Sequence, residues 1–94
     1  MPAHSYKFSD SQTVAVTAAS ASYTRPVGGA PMIVRFISDV GAHVAWNRPA
    51  TVTDAYISPE CVEDLSVGPN DVIHVIRATG ASDGTGWFTE ALRS

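Results

Sequence analysis

The C-terminal part of the chain reads Asp71-Val-Ile-His-Val-Ile-Arg-Ala78, then Thr79-Gly-Ala-Ser-Asp-Gly-Thr85, then Gly86-Trp-Phe-Thr-Glu-Ala-Leu92. The first apolar run is too short for an ordinary globular helix. It lies between turn residues, Gly68-Pro-Asn-Asp71 before it and Asp83-Gly84 after it. Two strands joined by a glycine-rich tip are expected, a β-hairpin closing a small all-β domain. No catalytic constellation accompanies the pattern, so the domain reads as a surface rather than a reaction vessel.

The aliphatic balance agrees. Eleven Val and five Ile stand against two Leu, with eight Thr besides. These β-branched residues are stiff at χ1 and pack well on a pleated surface. Thirteen Ala temper the bias but lie partly in Ala/Ser-rich connections. Ninety-four residues make one domain. A domain of this size buries roughly 60–65% of its extended-chain surface, so self-association would add useful apolar burial.

Upstream, Gln12-Thr-Val-Ala-Val-Thr-Ala18 alternates, with Val14 and Val16 on one face. Residues 1–11 are polar with isolated aromatics, Tyr6 and Phe8, and read as an arm preceding a single β-domain over 12–94. Ala19 to Ala30 is a connection with a short extended piece around Tyr23. Met32 to Ser38 is a strand, Asp39-Val-Gly41 turns the chain, and Ala42 to Asn47 is expected to return antiparallel as a hairpin. Asn47 to Asp54 is a loop, because Pro49 cannot donate to a ladder. Ala55 to Ser58 is a short edge segment, and Leu65-Ser-Val67 precedes the final pair. Six to eight short, mainly antiparallel strands are thus predicted, as a β-sandwich, jelly roll or small barrel. The predicted core is Val14, Val16, Val34, Phe36, Val44, Trp46, Val75, Trp87 and Phe88. Apolar residues occupy both parities of 32–38 and 72–77, so the buried face of those strands stays open.

Charge is sparse: six Lys or Arg against nine Asp or Glu, for a net charge of -3. The arginines, Arg25, Arg35, Arg48, Arg77 and Arg93, are scattered rather than gathered in a basic stripe, which disfavours direct nucleic-acid contact. Cys61 is the only cysteine and forms no intrachain disulfide; its default role is a small buried apolar residue. No signal peptide opens the chain and no run of about eighteen apolar residues interrupts it, so a soluble, non-membrane protein is expected.

Chemistry-bearing residues have plain readings. His4, His43, Cys61 and His74 include no pair at ligand-like spacing, so no metal or other cofactor is expected. There is no Gly-x-Ser-x-Gly elbow, and Cys61 follows Glu60 in an acidic turn that would not activate a thiol. The glycine-rich 80–86 stretch lacks the lysine and helix of a phosphate loop. Glu63-Asp64 reads as a solvated pair. An enzyme is not expected. Tyr23, Trp46, Tyr56 and Trp87 would make a sugar platform if two of them were exposed on one face, but core packing or a subunit seam is the stronger reading. Tyr6, Phe8, His43, Trp46, Tyr56, His74 and Trp87 are the candidate interface residues.

The order of these landmarks resembles small β-domain proteins encoded among the structural genes of tailed bacteriophages and prophages. The resemblance rests on Ile33-Val-Arg-Phe-Ile37 with His43-Val-Ala45, on Asn47-Arg-Pro-Ala-Thr-Val-Thr53, and on Tyr56-Ile-Ser-Pro59. It continues through Gly68-Pro-Asn-Asp71 with Val72 to Ile76, and Gly84-Thr-Gly-Trp-Phe-Thr-Glu90, covering residues 12 to 92. Two features depart from it: Pro-Asn-Asp replaces the usual Pro-Gly pair, and the proline after Tyr56 comes one residue late. The resemblance implies a virion structural protein, in host cytoplasm before assembly, and carries no active site. A head decoration or cement protein that self-associates, as a trimer, and binds capsid proteins leads. A tail, head-fibre or spike adaptor and a carbohydrate-binding module remain as alternatives.

Overall fold

A computed structural model of the chain describes residues 6–8, 11–24 and 32–93. Nine strand segments form two antiparallel sheets. They are β1 (Tyr6–Phe8), β2 (Gln12–Val16), β3 (Ala21–Thr24), β4 (Met32–Ser38), β5 (Ala42–Trp46), β6 (Ala55–Ile57), β7 (Glu63–Val67), β8 (Val72–Arg77) and β9 (Gly84–Arg93). The first sheet runs β1-β9-β4-β7, with β2 on the same side of β9 as β1; the second runs β3-β8-β5-β6. β1 and β2 share one lane, so nine segments fill eight lanes. Tyr6–Phe8, within the expected N-terminal arm, are therefore paired to the last strand; residues 1–5 and 9–10 lie outside the described residues.

The pairing follows one rule. β2 pairs with β9, β3 with β8, β4 with β7 and β5 with β6, so residues 12–46 and 55–93 run antiparallel like one long hairpin with its tip at 47–54. That hairpin is rolled until β4 also pairs with β9 and β5 with β8. The result is a jelly-roll sandwich.

Two expected hairpins are corrected by this topology. β4 and β5 lie in different sheets, and so do β8 and β9. Their links, Asp39–Gly41 and Ala78–Asp83, are corners that carry the chain across the sandwich. The corners lock together: Asp39 N–H donates to the Thr85 carbonyl at 3.1 Å, and Thr85 N–H donates to Asp39 Oδ1 at 2.8 Å. A side chain on Gly84 would run into Asp39 and Val40, so the second corner requires glycine. Short polar turns and alternating strands look the same whether a link stays within a sheet or changes sheets. Only pairing partners distant in sequence decide which.

The core lies between the sheets. Tyr23 stacks on Phe88 with ring centroids 4.5 Å apart, and Phe36 packs on Phe88 at 4.7 Å, tilted by 38°. Val16, Val34, Val44, Val67, Ile73 and Val75 surround this aromatic triad. Gly86 completes the fit, since a Cβ there would lie 2.9 Å from Phe36 Cε1. The inward parity of β4 is Val34, Phe36 and Ser38; that of β8 is Ile73 and Val75.

Six of the nine predicted core residues are buried, and Val14 packs half-buried against them. Trp46 and Trp87 are corrections. Trp46 shares the parity of Val44 but sits where β5 outruns the three-residue β6, so its ring turns to the rim and is 36% exposed. Trp87 alternates with Phe88 and faces outward. Tyr23, Ile57, Leu65 and Val67 join the core from short segments with little periodicity, and Ile73 from β8, where apolar residues at both parities left the buried face open. Cys61, expected inside, is exposed in the 58–62 link beside Glu60, whose φ of 58° marks a tight reversal.

Candidate functional site

Direct cross-strand partners share a sheet face, so register maps each outer surface. On the first sheet Trp87 lies between Thr13 and Ile37, Thr89 beside Arg35, and Ala91 beside Ile33. Trp87 and Ile37 are half-buried and Ile33 is exposed. Arg35 Nε donates to Asp64 Oδ1 across the ladder at 3.0 Å. This face mixes Trp87 and the two isoleucines with threonines and one ion pair, and is balanced in charge among its described side chains.

The second sheet differs because the hairpin tip folds back across it. Ala45 points outward, as partner of His74, yet is 3% exposed. The 47–54 strap covers this region: Ala50 N–H donates to Ser20 Oγ at 3.0 Å, tying the tip to the start of β3. Asp54 holds the strap together. Its carboxylate accepts from Arg48 through both terminal nitrogens and from Thr51 N–H at 2.8 Å. The Arg48 hydrogen bonds, followed by that of the Thr51 amide, pull the Asp54 carboxyl from 3.8 down to about 2. Asn47 anchors the other end in a left-handed conformation, φ 63°, donating from N–H to the Val72 carbonyl and accepting from Val72 N–H at Oδ1.

Beyond the strap the surface is open. His43 Nδ1 lies 2.8 Å from the Asp54 carbonyl, which can only accept, so the proton sits on Nδ1. The Tyr56 ring packs against His43 with centroids 5.4 Å apart at 55°, and is 55% exposed. Ile76 flanks His43 on the other side, and beside it a hollow of about 250 Å³ is lined by Ala18, Val52, Ile76, Arg77, Thr79 and Gly80.

The seven sequence-derived interface residues therefore divide. His43 and Tyr56 meet, and His74 stands one row away, next to Ala45 and Ser22. Trp46 is at the sandwich rim, where its Nε1–H donates to the Ser66 carbonyl of β7 at 3.1 Å. Trp87 is on the opposite outer face. Tyr6 and Phe8 pair through their backbones with Arg93 and Ala91, while their side chains lie outside the described residues. No two of Tyr23, Trp46, Tyr56 and Trp87 are exposed on one face, so the aromatic platform formulated from the sequence is not assembled. Sequence reasoning missed the strap and the hollow. Val52 and Ala18 sit in loops without periodicity, and only the fold brings them to Ile76.

Among the described residues no three His, Cys, Asp or Glu side chains cluster closely enough to hold a metal ion. No helix there is long and apolar enough to cross a membrane. Each described arginine side chain, Arg35, Arg48 and Arg77, is paired with an aspartate. The chain matches no family model, no curated protein and no solved structure.

Proposed function

We propose that this protein is a non-enzymatic building block of a tailed-phage particle, a head decoration or cement protein that works by protein–protein contact. The observation that carries the reading is the outer face of the first sheet. Trp87 and Ile37 stand side by side in one row of this surface and Ile33 stands two rows on, all partly open to solvent, with Arg35, ion-paired to Asp64, in the row between them. Tryptophan and arginine are residue types that contact surfaces favour, and here they stand among aliphatic side chains. The jelly-roll sandwich and the resemblance of residues 12–92 to small phage β-domains are in keeping with this role. In the proposed role copies self-associate, as trimers, and cover joints in the shell. Many modest contacts then add up through multivalency.

The test is co-sedimentation of purified protein with preassembled capsids and, separately, with isolated tails. Saturable binding to capsids at a fixed copy number, lost with Trp87→Asp and Ile33→Asp, is the expected outcome. Binding to tails alone, or density at a single capsid vertex in electron micrographs, would move the assignment to a tail or spike adaptor. Light scattering over a concentration series reports the oligomer; a monomer at high micromolar concentration rules out a stable free trimer.

A further inference from the structure

We propose that the outer face of the second sheet, from Tyr56 across His43 to the hollow beside Ile76, binds a neutral saccharide chain of at least two rings. Three features of the face carry this.

The first is an aromatic shelf. The hydroxyl end of Tyr56 lies over the main chain at Gly41, where a Cβ would come within 2.9 Å of Oη and 3.1 Å of Cε1. The ring is thus seated on backbone on one side and on His43 at its edge, while more than half of it remains open. A seated ring loses little further freedom when a ligand covers it. The C–H face of a sugar ring stacks on such an aromatic surface, which presents an apolar body and a polar tip.

The second is an acceptor of fixed orientation. Since His43 Nδ1–H donates to the Asp54 carbonyl, Nε2 of the neutral ring carries the lone pair. Nε2 has no hydrogen-bond partner among the described residues. A sugar hydroxyl adjacent to the shelf can donate to it. This pairs a stacking surface with a directional polar contact, as saccharide recognition requires.

The third is length and charge. Tyr56, His43 and Ile76 form one row across β6, β5 and β8. Two inter-strand spacings make the row about 10 Å long, on the order of two pyranose units. Past Ile76 the hollow adds Ala18, Val52 and Thr79 to the lining. Its volume of about 250 Å³ is smaller than the roughly 300–1,000 Å³ of an engulfing ligand pocket, which suits a chain lying along the surface. The cations beside the face are neutralised: Arg77 is paired with Asp83, and Arg48 with Asp54. A balanced surface favours an uncharged ligand over a sulfated or phosphorylated one. Shallow sites of this kind bind weakly, with Kd on the order of 1 mM, and gain strength when displayed in many copies.

This surface is opposite the one assigned to shell contact, so the two readings stand or fall separately. The experiment is a heteronuclear NMR titration of the full chain with cellotriose, maltotriose, mannotriose and chitotriose, and with a sulfated disaccharide as the charged comparison. At least one neutral trisaccharide should shift the amides of His43, Tyr56, Ile76 and Thr79 saturably. Tyr56→Ala should weaken binding about tenfold and Tyr56→Phe by less than about twofold, because stacking and not the hydroxyl is required. His43→Phe, which keeps a ring but removes the acceptor, should also weaken binding. Tyr56 is exposed, so unchanged amide dispersion in its variants checks the fold. The proposal is overturned by the absence of any saturable shift up to about 20 mM of each neutral sugar. Shifts confined to the first sheet, a preference for the sulfated sugar, or binding indifferent to Tyr56→Ala would overturn it equally. Capsid co-sedimentation of Tyr56→Ala should match the unaltered protein; its loss would instead implicate this face in assembly.

Discussion

Phe36 has no solvent exposure and packs against Phe88, which in turn stacks on Tyr23 from the other sheet. Removing that ring opens a cavity at the centre of the sandwich, and close-packed surroundings refill it only in part. Phe36→Ala should lower unfolding free energy by about 3–5 kcal/mol, a large share of what a domain this size holds. Tyr56→Ala, on the open face, should change it by less than about 1 kcal/mol. Urea midpoints of both variants check the contrast. Equal midpoints would mean that the aromatic triad is not the core. Ser38 is the one fully buried polar side chain among the described residues; its Oγ accepts from Val40 N–H and its carbonyl from Glu60 N–H, so its burial is compensated.

At the scale of elements, the 47–54 strap has the clearest pH dependence. Asp54 has a folded-state carboxyl near 2, against an ordinary value of 3.8, chiefly through its hydrogen bonds with Arg48 and then the Thr51 amide. A depressed pKa means that the folded strap favours the carboxylate. Its contribution is fully present above the ordinary value and is lost as pH falls from about 4 through about 2. Arg48 is well exposed, so the loss should be local rather than global. In an acid titration, amide signals of Thr51 and Asp54 should move with a midpoint at about 2 while Phe88 and Val34 hold still. In Asp54→Asn the same Thr51 signal should show no such transition. A Thr51 titration near pH 4 in the unaltered protein would contradict the hydrogen-bonded carboxylate. The strap also explains why Ala45 faces outward yet is buried, a burial that strand alternation alone does not suggest.

Over the whole molecule, the rolled hairpin makes nearly every strand depend on a partner far away in the chain. Val16 pairs with Gly84, Tyr23 with Ile73 and Val34 with Leu65. Neither half contains a sheet of its own, since each sheet interleaves strands from 12–46 with strands from 55–93. Loop-closure entropy must be overcome before these contacts form, which slows folding. Stopped-flow refolding should therefore be slow for a chain this short, on the order of milliseconds to seconds. Fragments cut within the 47–54 tip should be unfolded alone and regain strand signal in circular dichroism only on mixing. A folded isolated fragment would contradict the interleaved topology.

Residue choice alone determined the all-β class, because β-branched Val, Ile and Thr fill the short alternating runs and turn residues interrupt them. Alternation also placed Val16 and Val44 inside, and register follows wherever one face is buried. Strand order was decided elsewhere. The Asp39–Gly41 and Ala78–Asp83 links have the composition of hairpin turns, and what made them corners was pairing of β4 with β7 and β9, and of β8 with β3 and β5. Those pairings depend on packing between residues tens of positions apart, which local periodicity does not encode. The candidate sites divide in the same way. His43 and Tyr56 were legible as candidate interface residues on strands, but their contact, the fixed His43 tautomer and the hollow with Val52 and Ala18 exist only in the folded sandwich with its strap.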